Sequence, residues 1–245
     1  MQRPGLYCLI AIRTAVKLAV MPLAALFLAA MPGAARAETP AGCATPPSNE
    51  LVAYRCKFYD GDIASVVARA REWIKWRAPY VHNPALVLDI DETSLSNWKV
   101  LYQNQFVFVF SGPCSFREGT ICGALAWERM AVAPAIRPTR DLFDLAKAEH
   151  VTVFFVTGRA ENAIERAATE TNLHRAGYAG WKHLYLRSKE FAGDPSVAPY
   201  KTSARAKIEA QGYTIIANVG DQWSDLENGC AERAFKLPNP FYTIP

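Results

Sequence analysis

The stretch Ala85-Leu86-Val87-Leu88-Asp89-Ile90-Asp91 restricts the fold of this chain more than any other. Four consecutive apolar residues leave no polar face, so a strand built from Ala85 to Ile90 must be covered on both sides, as parallel strands are. The run ends on two carboxylates with one residue between them. Their like charges repel, and in a buried place each must be paired, hydrogen-bonded or bound to a metal. The C-terminal ends of parallel strands are also where open α/β sheets bind ligands. One short segment therefore predicts a nucleophile, a proton donor and a cation site together.

The rest of the chain supplies the sheet. Asp62 to Trp76 reads as a helix, with Asp62 as its N-cap and Ile63, Val66, Val67, Ala70 and Ile74 at helical spacing. After residue 137 strand and helix alternate. Thr139 to Glu149 is helical with Thr139 as cap, Val151 to Val156 is a strand, Glu161 to His174 a helix, and His183 to Leu186 a short strand. Lys201 to Gln211 is a helix, Thr214 to Val219 a strand, and Ala234 to Leu237 a last one. Such alternation predicts an α/β fold, a Rossmann-like doubly wound parallel sheet. Residues 95 to about 137 are broken up by Gly112, Pro113, Gly119 and Gly123 and read as a small inserted cap.

The first 37 residues are not expected to belong to the fold. Arg3, Arg13 and Lys17 precede an apolar stretch from Leu18 to Met31, and Ala35-Arg36-Ala37 has the form of a cleavage site. That is the pattern of a secretory signal peptide, its apolar stretch being short for a membrane span. The mature domain is then 38–245, exported to the periplasm or secreted. The signal carries four of the 27 basic residues and none of the 23 acidic ones, which leaves 23 of each. A near-neutral mature chain offers no argument for nucleic acid or membrane binding. Of the cysteines after Cys8, an exported chain is expected to pair Cys114 with Cys122 and Cys43 with Cys56, leaving Cys230 over. No CxxC or His pair suggests zinc.

Polar clusters stand at the predicted strand ends and at one helix start. They are Asp89, Asp91 and Thr93; Thr157, Gly158 and Arg159; Lys201; and Gly220, Asp221 and Asp225. The C-terminal edges of a parallel sheet lie side by side, so these groups can converge. Acids, a hydroxyl beside glycine and a lysine suit phosphoryl transfer, which needs a dianion neutralised and a nucleophile held in line.

Four segments in order, Asp89-Ile-Asp-Glu-Thr93, Phe154-Phe-Val-Thr-Gly-Arg159, Tyr200-Lys201 and Gly220-Asp-Gln-Trp-Ser-Asp225, resemble the motifs of haloacid-dehalogenase-like phosphatases. The longer strings Leu86 to Asn97, Asn218 to Leu226 and Phe235-Lys-Leu-Pro-Asn-Pro240 are similar to its secreted acid phosphatase branch, which includes bacterial acid phosphatases and plant vegetative storage proteins. The resemblance runs from about residue 50 to the end. It implies Asp89 as nucleophile, forming an aspartyl-phosphate, and Asp91 as general acid and then base. It implies that Thr157 and the Gly158 backbone bind the phosphoryl oxygens and that Lys201 offsets charge. Metal would be held by Asp89, the Asp91 carbonyl and Asp221, with Asp225 binding it or orienting its water. Oxygen donors throughout suit Mg²⁺. Asp91 is expected to hold its proton because of its neighbour's charge and a dry site. The substrate implied is a small phosphate monoester, with an acidic optimum and loose specificity.

Plainer alternatives accompany several residues. Thr157 could merely cap a helix, Arg159 pair with a helix acid, and Asp225 be an N-cap. Trp98, Tyr102, Phe106, Phe108 and Phe110 are expected to pack the insertion's core rather than stack a leaving group, and Trp223 to be a packing residue. At the level of the whole protein, the alternatives are a phosphotransferase to alcohols and a non-catalytic storage or binding protein on the same fold.

Overall fold

The computed structural model describes residues 40–43 and 49–244. The predicted signal peptide lies outside them, and no helix among the described residues is long and apolar enough to cross a membrane. The chain enters through α1 (Glu50–Tyr54), whose N-cap Asn49 accepts from the Val52 N–H. One π-helical turn, Arg55–Tyr59, leads without a break into α2 (Asp60–Arg77). Asp62 is therefore not a cap. It lies in the first turn of α2 and accepts from the Tyr54 hydroxyl at 2.7 Å.

Five strands form one parallel sheet: β1 (Pro84–Leu88), β2 (Thr152–Ala160), β3 (His183–Arg187), β4 (Thr214–Gly220) and β5 (Ala234–Lys236), in the order β3-β2-β1-β4-β5. Successive side chains of β1 go to opposite faces. Leu86 and Leu88 join Val153 and Phe155 of β2 in the larger core, under α2, α5 (Arg137–Ala148) and α6 (Ala163–Arg175). Ala85 and Val87 join Phe154, Val156 and Ile215 beneath α7 (Ala198–Ala210). The sheet is covered on both faces, as the apolar run requires, with α2, α5 and α6 on one side and α7 on the other.

Between β1 and α5 the chain passes through α3 (Trp98–Gln103) and α4 (Ala124–Met130). This excursion leaves and returns at one place: the Ser96 N–H donates to Pro134 O at 2.9 Å and Ile136 N–H to Ser94 O at 3.0 Å. The Cys114–Cys122 disulfide closes it on itself, and the Asn104 side chain donates to the Cys122 carbonyl and accepts from its N–H. A second disulfide joins Cys43 to Cys56. Both predicted pairings form. No described cysteine is free, Cys230 included, so the expectation of a leftover thiol there is corrected.

Helix starts account for most of the remaining differences. Helix α5 begins at Arg137 after Ile136, with Pro138 in its first turn, and Thr139 is buried within it rather than capping it. Helix α6 is capped by Asn162, whose Oδ1 accepts from the Ile164 and Glu165 N–H groups. Thr157 therefore caps no helix. Trp98 is buried and packs with Tyr102, Phe106 and Phe241, while Phe108 and Phe110 are 62% and 63% exposed and Trp223 is 65% exposed. Core packing holds for the first three aromatics and fails for the other three.

Candidate active site

Strands β1 and β4 are adjacent, yet the chain reaches β2 and β3 on one side of β1 before crossing back to β4 on the other. The crevice between them is thus the point where the strand order reverses, the position at which open α/β sheets hold ligands. Asp89 immediately follows β1 and Asp221 immediately follows β4. Asp225 lies on the short helix α8 (Trp223–Leu226). One carboxylate oxygen from each of Asp89, Asp221 and Asp225 falls within 4.8 Å of the others. All three residues are buried, at 5%, 1% and 3% exposure. Three predicted acids from two distant parts of the chain therefore do converge.

Lys201 stands between two of them. Helix α7 starts at Ala198, three residues before the lysine, and puts it in the first turn, buried. Its Nζ donates to Asp89 Oδ1 at 2.6 Å and to Asp225 Oδ1. The other Asp225 oxygen accepts from the Gln222 N–H at 2.8 Å, closing a capping box over α8. Asp225 is thus part of a helix cap and part of the charge cluster at once. Its carbonyl accepts from Asn218 Nδ2 at 2.9 Å and from buried Arg205 at 2.6 Å. Gly220 makes the approach possible, since a Cβ there would collide with the Asp225 carboxyl group.

The turn after β1 aims the remaining groups. The Ile90 carbonyl accepts from the N–H groups of Thr93, Ser94 and Leu95, and Glu92 sits at φ 53°. This tight winding turns the Thr93 hydroxyl to Asp221 Oδ1 at 2.9 Å. It leaves the Asp91 side chain the most open of the acids, at 26% exposure. Asp91 does not stand alone. Arg159, at the far end of β2, donates through Nε at 3.0 Å and through a terminal nitrogen at 2.7 Å to its two oxygens, while Asn97 donates at 2.9 Å. Arg159 also lies 4.0 Å from Glu128 of α4 and donates to Thr169 of α6. The helix-acid partner considered for Arg159 is present only at the longer distance; its close partner is Asp91. Thr157 is fully buried on β2, its hydroxyl accepting from the Arg159 N–H at 3.2 Å, with Gly158 beside it.

Four segments of the sequence thus meet at one sheet edge. Residues 22–245 match the family described as HAD superfamily, subfamily IIIB (Acid phosphatase). The chain belongs to that family. It is similar to the stem 28 kDa glycoprotein of Glycine max, 39% identical over 120 residues, covering 48% of this chain and 46% of the relative. It is also similar to acid phosphatase 1 of Solanum lycopersicum, 33% identical over 159 residues, covering 64% and 58%. The chain spans about half the length of these curated relatives. In structure it resembles the class C acid phosphatase from Bacillus anthracis, with a TM-score of 0.59 over 78% of this chain and 82% of that one. At 19% identity that likeness concerns the HAD fold alone.

The electrostatics of this HAD site depart from one expectation. Burial opposes ionisation of Asp91, but the Arg159 guanidinium beside it prevails and holds its carboxyl below the usual range. In the free protein Asp91 is a clamped carboxylate, not a proton holder. Asp89 is the group pushed well up, by burial and by the Asp225 carboxylate, with Lys201 opposing. Sequence reasoning missed Glu92. It is fully buried, accepts from Asn97 and from the Tyr242 hydroxyl at 3.0 Å, and burial pushes it up to about 8. Burial also raises Glu128 to about 7, against Arg159, and Asp221 to about 6, with Asp225 adding to the rise.

The upward shifts of Asp89, Glu92, Glu128 and Asp221 share one sign, opposite to that of Asp91. An acid whose folded pKa lies above its unfolded value binds more protons in the native state, so stability falls as pH rises between the two. The window runs from about 4.5, the ordinary glutamate value, to about 8. In EDTA, thermal unfolding is expected roughly 5–10 °C lower at pH 8 than at pH 5 (about 2–4 °C per kcal/mol for a chain of this size). Glu92→Gln should flatten that slope. A melting point independent of pH across the window would refute the assignment.

Proposed function

We propose that the protein is an exported, Mg²⁺-dependent phosphomonoesterase that works through a covalent aspartyl-phosphate. The observation that carries this reading is the buried meeting of Asp89, Asp221 and Asp225 around a single lysine. Three carboxylates against one ammonium leave negative charge in dry surroundings, a state that a divalent cation relieves. The donors are all oxygen, which suits Mg²⁺ rather than zinc. Asp89, Asp221 and the Asp91 carbonyl would hold the ion, with Asp225 steering the shell around it. When bound, it supplies positive charge to the phosphoryl oxygens.

The protein's own groups do the rest. Lys201 occupies Asp89 Oδ1, which leaves Oδ2 to attack phosphorus as the ester P–O bond breaks. Lys201, the Thr157 hydroxyl and the Gly158 N–H would bind the phosphoryl oxygens. Asp91 passes a proton to the departing oxygen, releasing the alcohol. It then takes a proton from water, whose hydroxide attacks phosphorus and frees Asp89 and phosphate. Arg159 keeps Asp91 ionised in the free protein, and the dianion of an entering monoester opposes Arg159 and favours proton uptake. The acid phosphatase names of the family and of the tomato relative support hydrolysis of small phosphate monoesters. Two disulfides support an oxidising compartment, reached through the signal sequence at residues 1–37. Residues 95 to about 137 would act as the cap of the 38–245 domain.

The test is hydrolysis of p-nitrophenyl phosphate. With Mg²⁺ the purified chain should turn over, EDTA should reduce the rate at least about 10²-fold, and added Mg²⁺ should restore it. No hydrolysis of this ester or of any sugar, nucleoside or aryl phosphate would favour a storage protein on this fold.

A further inference from the structure

After β5 the chain does not leave the molecule. Leu237 N–H donates to Gly220 O at 2.8 Å, extending the sheet edge by one bond, and residues 238–244 then run back across the loop between β4 and α8 as a strap. The strap is fastened at both ends. Phe241 is buried against Tyr59, Trp98 and Phe106. The Tyr242 hydroxyl reaches Glu92, the Ile244 N–H donates to Gln222 Oε1 at 3.1 Å, and Ser224 donates to Ile244 O at 3.2 Å. Between these fastenings Asn239 turns inward. Its Oδ1 accepts from the Phe241 N–H at 2.9 Å, which fixes the amide, and its Nδ2 donates to Asp221 Oδ2 at 2.7 Å.

Asp221 needs such support. Its carboxylate is buried beside two other acids, and three donors hold it: Thr93 on Oδ1, and Gln222 and Asn239 on Oδ2. Two of the three come from the turns that carry the acids themselves. Asn239 alone comes from the strap, and it arrives with its rotamer already set. Partners of this kind fix which face of a carboxylate is offered to an ion, and losing one typically weakens metal affinity about 10–100-fold.

We propose that Asn239 is a positioning residue for the cation site, setting divalent-ion affinity by holding Asp221 in its binding orientation. The proposal rests on the metal-dependent reading above. Its test is Mg²⁺ titration of the metal-free full chain by calorimetry, and by the Mg²⁺-induced rise in melting temperature, for the parent protein, Asn239→Ala and Ser224→Ala. Asn239→Ala is expected to weaken Mg²⁺ binding about tenfold or more. Its kcat at saturating Mg²⁺ should stay within about threefold of the parent and its KM for the ester should not change, because the residue touches neither ester nor reacting atoms. Ser224→Ala breaks a strap fastening that ends on the Ile244 carbonyl rather than on a carboxylate, and should bind Mg²⁺ like the parent. Asn239→Ser, whose hydroxyl can still donate, should recover part of the affinity, and it carries the comparison if the alanine variant does not fold. Parental Mg²⁺ affinity in the Asn239 variants overturns the proposal, as does an equal loss in Ser224→Ala, which would make the strap a general brace. A parent protein that binds no Mg²⁺ removes the metal-dependent reading itself, and the proposal with it.

Discussion

Asp89→Asn should hydrolyse p-nitrophenyl phosphate at least about 10³-fold more slowly than the parent at saturating Mg²⁺, while its metal-free form unfolds at the same temperature or a higher one. The two halves of this result come from the same cluster. An amide cannot attack phosphorus, so the covalent route proposed above would close. In the free protein, however, the Asp89 carboxylate is a cost: it is buried, faces Asp225, Asp221 and Asp91, and is relieved chiefly by Lys201. A neutral group of the same shape removes that repulsion, and Lys201 keeps its Asp225 partner. A mutation that abolishes turnover without loss of stability marks a residue kept for chemistry rather than for folding. Turnover within tenfold of the parent would end the aspartyl-phosphate mechanism. Equal inactivity with a collapsed melting point would place Asp89 among the structural groups.

Arg159→Met should do the opposite and cost both properties. The guanidinium is buried, with its side chain 1% exposed, and bonds both oxygens of Asp91 while facing Glu128. Removing one member of a buried ion pair leaves the other charge without compensation, typically at 3–5 kcal/mol. Asp91 is a quarter exposed, so the lower end of that range applies, about 3 kcal/mol, or roughly 6–12 °C in melting temperature. Turnover should fall about 10²-fold or more if Asp91 is the acid and base proposed above, because it loses the fork that fixes its carboxylate. Arg159→Lys keeps the charge without the planar fork and should regain stability more than rate. Parental values of both quantities in Arg159→Met would show the pair to be incidental.

Some of this molecule is encoded locally and some is not. Every strand was legible, because a β-branched or apolar run between turn residues states its own conformation, and β1 through β5 lie within a few residues of expectation. So was the convergence of Asp89, Asp221 and Asp225, since parallel topology places strand ends together. Helix starts were less legible. Asp62 and Thr139 have good capping side chains, but a π turn carries the helix past the first and Pro138 starts the second helix upstream. What stayed hidden was partnership across long separations. Nothing near Arg159 in the sequence names Asp91, and nothing near Asn239 names Asp221. Glu92 gave no signal either. It reads as a polar turn residue until the Tyr242 hydroxyl, 150 positions away, is found against it.

The crevice between β1 and β4 also bears on how the molecule assembles. Thr93 and Asp221 are 128 positions apart, and no shorter piece of the chain brings the facing acids together. Contacts of such sequence separation form late, after the loop between them has closed. A divalent ion held there, as proposed above, would find no binding place in a half-formed chain. Its binding energy would deepen the native well alone, so magnesium should leave the refolding rate nearly untouched and act on opening, lengthening the lifetime of the finished protein.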